Sequence, residues 1–149
     1  MKKRTRLMLL LSALLICGAA SAWFVDTLDA QGVALPSGIG DLSNASTIEV
    51  KDSAGTVVLR GHFAEVPEDD DDVERKAELT GAAGATGQAE IEVSKTNNQL
   101  DQEVEVSVSK LTPGATYDVF VDGSKLGTFQ TNKNGDGELE LNTPEVKKP

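Results

Sequence analysis

Alternation with period two constrains this chain more than any other feature. Val104, Val106 and Val108 interleave with Glu103, Glu105, Ser107 and Ser109. Ala89, Ile91 and Val93 interleave with Glu90, Glu92 and Ser94, and Leu139 and Leu141 with Glu138 and Glu140. Successive side chains of a strand point to opposite faces, so each run describes a strand with one face in a core and one in water. A helix would need apolar residues at three- and four-residue spacing, and no long run of that kind follows Ala22. Further strands are predicted at Thr47–Lys51, Val57–Phe63, Arg75–Leu79, Thr116–Val121 and Lys125–Thr131. About eight short strands separated by turn residues predict an all-β fold, an antiparallel sandwich or a partly open barrel.

The turns agree with that reading. Asp122-Gly123, Asn134-Gly135 and Asp136-Gly137 supply residues that tolerate positive φ, as tight hairpins require. Asp52-Ser53-Ala54-Gly55 can join the first two strands, and Asn97-Asn98 lies in the loop before the Val104 strand. Such short connections predict a meander of sequential neighbours from Tyr117 to Leu141, with Asn132–Gly137 as a hairpin turn. Leu111-Thr112-Pro113-Gly114-Ala115-Thr116-Tyr117 reads as a strand end, a Pro-Gly turn and a new strand opening on a tyrosine. Tyr117, Pro113 and Gly114 are therefore structural, with the phenol packed at the core edge and its hydroxyl bonded to upstream backbone.

The first 22 residues stand outside the fold. Lys2, Lys3, Arg4 and Arg6 precede an apolar run from Leu7 to Ile16, and Ala20-Ser21-Ala22 closes it with small residues. This predicts a secretory signal peptide cleaved after Ala22, and a secreted or periplasmic protein with no membrane insertion once it is removed. An uncleaved anchor is the competing reading, since Leu7 to Phe24 approaches the shortest span. A lipidated Cys17 would want a small residue before it, where this chain has Ile16. Residues 23–44 carry Gly32, Pro36, Gly38 and Gly40 without periodicity, as an irregular tether or a packed N-terminal strand. Residues 45–143 form the single β domain, interrupted by the solvated acidic run Glu68–Asp72, and 144–149 fray.

Cleavage would remove the only cysteine, so the core must hold the fold without disulfides. It would also remove four of the 14 Lys and Arg, leaving ten against 24 Asp and Glu, a net charge of −14. Such a surface repels nucleic acid and anionic lipid, favours solubility, and attracts basic proteins or divalent cations. A protein partner is therefore admitted, without an identity.

From Ile48 to Leu141 the chain resembles secreted bacterial β-sandwich proteins of the immunoglobulin and fibronectin type III kind. The carriers are Ile48-Glu49-Val50, Gly55–Gly61, Gly87–Val93, Leu111–Tyr117 and Val121-Asp122-Gly123 with Gly127-Thr128, Thr131 and Gly135. Leu111-Thr112-Pro113-Gly114-Ala115-Thr116-Tyr117 is similar to the Leu-x-Pro-Gly-x-x-Tyr run of fibronectin type III modules. The chain departs from them where its strand turns at once through Asp122-Gly123, and no tryptophan precedes the corner, Trp23 being far upstream. Arg75–Ala82 resembles the opening of the CHRD module, whose later histidine segment has no counterpart here. The resemblance implies an immunoglobulin-like sandwich and an exported location, not a site.

Catalytic chemistry is sparse. His62 is the only histidine and sits in a predicted strand, which leaves no Ser-His-Asp or zinc constellation. Paired carboxylates, as in a glycoside hydrolase, are inevitable by chance among 24 acids, and few aromatics could stack on sugar. No cofactor is expected, and the chain is read as non-enzymatic. Calcium has two candidate places. Asn132, Asn134 and Asp136 match the alternating oxygens that open an EF-hand loop, but Thr143 stands at its twelfth position instead of a bidentate glutamate. Asp70 and Asp72 belong to a run whose adjacent carboxylates cannot all face one ion. The expected role is a non-catalytic binding or structural module at the cell envelope. A calcium-stabilised module is the alternative, and a carboxylate-dependent hydrolase comes third.

Overall fold

The structure is a computed structural model that describes residues 33–66, 72–96 and 99–143. The predicted signal peptide at 1–22, Cys17, Trp23, Asp70, Asn97, Asn98 and the predicted tail at 144–149 lie outside the described residues. Ten strands follow in chain order: β1 (Val33–Ala34), β2 (Thr47–Lys51), β3 (Val57–His62), β4 (Ala64–Val66), β5 (Val73–Gly81), β6 (Thr86–Thr96), β7 (Gln99–Ser109), β8 (Thr116–Val121), β9 (Ser124–Gln130) and β10 (Gly137–Asn142). The fold is all-β, with only short 3-10 turns at Leu42–Asn44 and Ala82–Gly84 among the described residues.

The strands join in one curled sheet of order β1-β10-β7-β6-β5-β3-β2-β8-β9, with β4 beside β5. Every pairing is antiparallel except β1 with β10, so the sheet is mixed rather than purely antiparallel. Strands number ten among the described residues rather than about eight, because β1 and β4 are too short to carry an alternation.

The predicted meander fails at its last step. β8 and β9 form the expected hairpin, turning at Asp122-Gly123 with φ of 45° and 81°. β10 then leaves β9 and pairs with β7, so Asn132–Gly137 is a crossover and not a hairpin turn. The reason is packing. Leu139 lies so close to Gly127 that a Cβ there would sit 3.0 Å from Leu139 Cδ2, and a Cβ on Gly137 would overlap the Phe129 ring. β9 and β10 thus meet through side chains, which curls the sheet around one core.

That core is the set of inward positions of the alternating runs. Ile48, Val50, Val104, Val106, Ile91, Val119 and Leu141 are fully buried. Each contributes about 1.5–3 kcal/mol relative to exposure. Tyr117 is buried, stacks on Phe129 at 5.7 Å between ring centres, and its hydroxyl accepts the Thr112 N–H at 3.1 Å. This is the local bond that the Pro113-Gly114 turn foretells, and Thr131 completes it. The Thr131 hydroxyl donates to the Thr112 carbonyl at 2.7 Å and accepts the Ala115 N–H at 3.1 Å.

Residues 33–46 are packed rather than trailing. Leu35, Leu42 and Ala45 are buried, and Gln102, an inward residue of β7, receives the Leu42 N–H at 2.7 Å and donates to the Gly40 carbonyl at 3.3 Å. Asp41 bridges Lys95 at 2.8 Å, and Arg75 donates to the Ser43 carbonyl at 3.1 Å. Hydrogen bonds to Lys95 and then to Ser43 lower the Asp41 carboxyl to about 2.

Candidate functional site

The outward positions of β5, β6, β7 and β10 form one broad face, and the register decides what stands beside what. Glu90 of β6 faces Glu105 of β7, which faces Glu140 of β10, with Lys76 of β5 completing the rung. One rung along, Glu74, Glu92 and Glu103 face one another, and Asn142 ends the row. On the other side Glu78, Gln88, Ser107 and Glu138 form a third rung. Asp101 continues the series opposite Ser94. Among the described residues the only cation in these rungs is Lys76, which pairs with Glu74 and lies 3.6 Å from Glu90.

Like charges directly opposite on a sheet repel and destabilise the pair. The carboxyls respond. Burial first, and then the charges of Glu140, Glu105, Asp101 and Glu90, push Glu103 above its ordinary value. Glu105 is raised by burial and then by Glu138, Glu90 and Glu140. Lys76 is raised in turn, mainly by its hydrogen bond to Glu74. A shallow depression lined by Lys76, Glu78, Gln88, Glu90, Glu105 and Ser107 opens on this face. It lies open to solvent, so the site suits long-range attraction of a cation more than proton transfer inside a water-excluded pocket.

Of the predicted calcium positions, Asn132, Asn134 and Asp136 share one turn. Asn132 Oδ1 accepts the Asn134 N–H at 2.8 Å and the Asp136 N–H at 3.1 Å, which makes the segment a self-closing turn. Asp72 stands half-buried before β5, far along the chain from that turn, and Asp70 lies outside the described residues. Among the described residues no group of three or more His, Cys, Asp or Glu is placed to hold a metal. His62 is exposed on β3 opposite Thr47.

Sequence reasoning identified Glu90, Glu103, Glu105 and Glu138 only as the polar sides of separate strands. Their facing arrangement depends on register between segments up to about fifty residues apart, which no single run displays. Among the described residues no helix is long and apolar enough to cross a membrane. Comparison with protein-family models, with curated proteins and with solved structures finds no match.

Proposed function

We propose that this chain is an exported, non-catalytic binding module of the immunoglobulin-like sandwich type, acting at the cell envelope. In this reading the outer face of β5, β6, β7 and β10 meets a cationic partner, a basic protein surface above all. The observation that carries it is the facing of Glu90, Glu105 and Glu140 across three adjacent strands, with one lysine among the described residues to offset them. Such a face lowers the stability of the free protein, and a partner presenting Lys or Arg would relieve the repulsion on binding. The sandwich assignment draws support from the Tyr117 corner and from β9 and β10 packing through side chains. Export draws support from the sequence of residues 1–22.

The test is calorimetric titration with an oligolysine peptide at low salt and at about 0.15 M salt, where the Debye length falls to about 8 Å. The wild type is expected to bind, more weakly as salt rises. The triple variant Glu103→Gln, Glu105→Gln, Glu140→Gln is expected to melt higher and bind less. Equal binding by the variant would remove this face from the reading. A melt in EDTA and then in about 5 mM calcium separates the calcium-stabilised alternative, which requires a calcium-specific rise absent with magnesium.

A further inference from the structure

We infer that residues 33–46 form a mechanical clamp that resists tension applied between the two ends of the chain. Among the described residues the sheet has one parallel pairing. β1 runs beside β10 with Val33 opposite Leu141 and Ala34 opposite Asn142, and the Leu35 N–H continues the pairing to the Asn142 carbonyl at 2.8 Å. β1 is the first described strand and β10 the last. Because they are parallel, the chain enters β1 at one end of the pair and leaves β10 at the other. Tension that reaches Val33 and Asn142 from the two sides therefore slides β1 along β10 and loads their hydrogen bonds together. An antiparallel pair pulled from adjacent ends opens one bond at a time, because its ladder bonds lie perpendicular to the strands.

The pair is short, and the segment behind it supplies the rest of the resistance. Gln102 holds Leu42 and Gly40 from inside the fold, Asp41 is bridged to Lys95, and Arg75 binds the Ser43 carbonyl. At the far end the Asp122 carboxylate accepts the Thr47 N–H at 2.8 Å and the Ser46 N–H at 3.1 Å, and the Phe63 N–H reaches the Ser46 carbonyl at 3.0 Å. These anchors come from β5, β6, β7, the β8–β9 turn and the residue after β3. A pull on β1 is thereby distributed over strands from both halves of the curled sheet. Leu35, Leu42 and Ala45 of the segment are buried in the core, so its release would also expose apolar surface. The inference rests on the proposed envelope role for its use, since a module held at one end and bound at the other would bear such a load.

The experiment is single-molecule force spectroscopy on the full chain in two geometries. In the first, handles attach at the two chain ends. In the second, they attach at exposed Asp101 and at the C-terminal end, adjacent ends of the β7–β10 ladder where Glu103 pairs with Asn142. The expected result is a higher rupture force end to end than from position 101. Gln102→Ala, which removes the buried side chain that holds Leu42 and Gly40, is expected to lower the end-to-end force and erase most of that difference. Equal forces in the two geometries would overturn the clamp. So would an early low-force step of roughly 45–50 Å, the contour length of residues 33–46 extended. Neither outcome depends on where the protein resides, so cell fractionation of the tagged chain tests the envelope reading separately.

Discussion

The two outer faces of this molecule are built from the same kind of strand and handle charge in opposite ways. On the β5–β6–β7–β10 face, carboxylates oppose carboxylates. On the β2–β3–β8–β9 face, Glu49 sits between Lys51 at 3.1 Å and Arg60 at 2.6 Å, and Asp118 bridges Lys125 at 2.8 Å. Lys51 also lies 4.3 Å from the centre of the half-buried Phe120 ring. The carboxyls report the contrast. Hydrogen bonds to Lys51 and then Arg60 lower Glu49, and those to Lys125 and then Thr128 lower Asp118, while Glu103 and Glu105 are raised. Among the described residues, one face pairs its carboxylates with cations, and the other sets facing carboxylates beside a single lysine.

The comparison breaks hardest where the two halves join. β3 pairs with β5 at Leu59 with Gly81 and Arg60 with Thr80, and a Cβ on Gly81 would collide with the Val58 carbonyl oxygen and press on Leu59. Gly81→Val is expected to destabilise by about 3 kcal/mol, the upper end of overpacking costs. Chemical denaturation checks it, and a near-neutral change would mean that the two halves are held by the core alone. Next in size is Tyr117→Phe, expected to cost about 1 kcal/mol by orphaning the Thr112 N–H. An unchanged midpoint would remove the corner from the account of how β8 is fixed.

Charge reversal tests the acidic face directly. Glu105→Lys places a cation between Glu90 and Glu140 and is expected to stabilise by about 1 kcal/mol, from two repulsions turned to attractions. The same face fixes the pH dependence. Glu103 and Glu105 have folded values above the ordinary glutamate 4.5, so between the unfolded and folded values the native state binds more protons. Stability from these groups therefore rises as pH falls through their raised values. Asp41, Glu49 and Asp118 have lowered values and act the other way, stabilising above their unfolded values and losing that contribution as pH falls through their folded ones. The melting temperature is expected to rise as pH falls from neutral through the raised Glu103 and Glu105 values, and then to fall on further acidification toward the lowered ones. A monotonic loss from neutral pH would mean that the facing carboxylates carry no measurable strain.

The sequence spoke clearly where one strand's burial pattern was enough. Val104, Val106 and Val108, or Leu139 and Leu141, announce their inward faces without a partner, and Pro113-Gly114 with Tyr117 announces a turn and its bond. It was silent where the answer lies between strands. Nothing in Gly137–Asn142 says that it pairs with β7 rather than β9, because two-residue alternation is satisfied by either neighbour. The packing of Leu139 on Gly127 decides, and a glycine in a strand marks close approach without saying of what. The sequence assigns no partner to Gln102 or Arg75, because their setting depends on the segment at 33–46 folding over them. The acidic site was half legible for the same reason, with its residues visible and their rungs not.

The mixed face yields the smallest expected effect and the sharpest control. Glu49 is the common partner of Lys51 and Arg60, so Glu49→Gln leaves two cations beside each other on adjacent strands. Arg60 is more than half exposed, and exposed pairs contribute little, so the loss is expected to be no more than about 0.5 kcal/mol. Its sign is what matters. Neutralising a glutamate on the β2–β3–β8–β9 face should lower the melting temperature slightly, whereas Glu105→Gln on the opposite face should raise it. Both variants remove one negative charge, so a general effect of net charge would move them in the same direction. Opposite shifts at low salt, converging as salt screens the exposed pairs, would locate the repulsion in the facing carboxylates themselves.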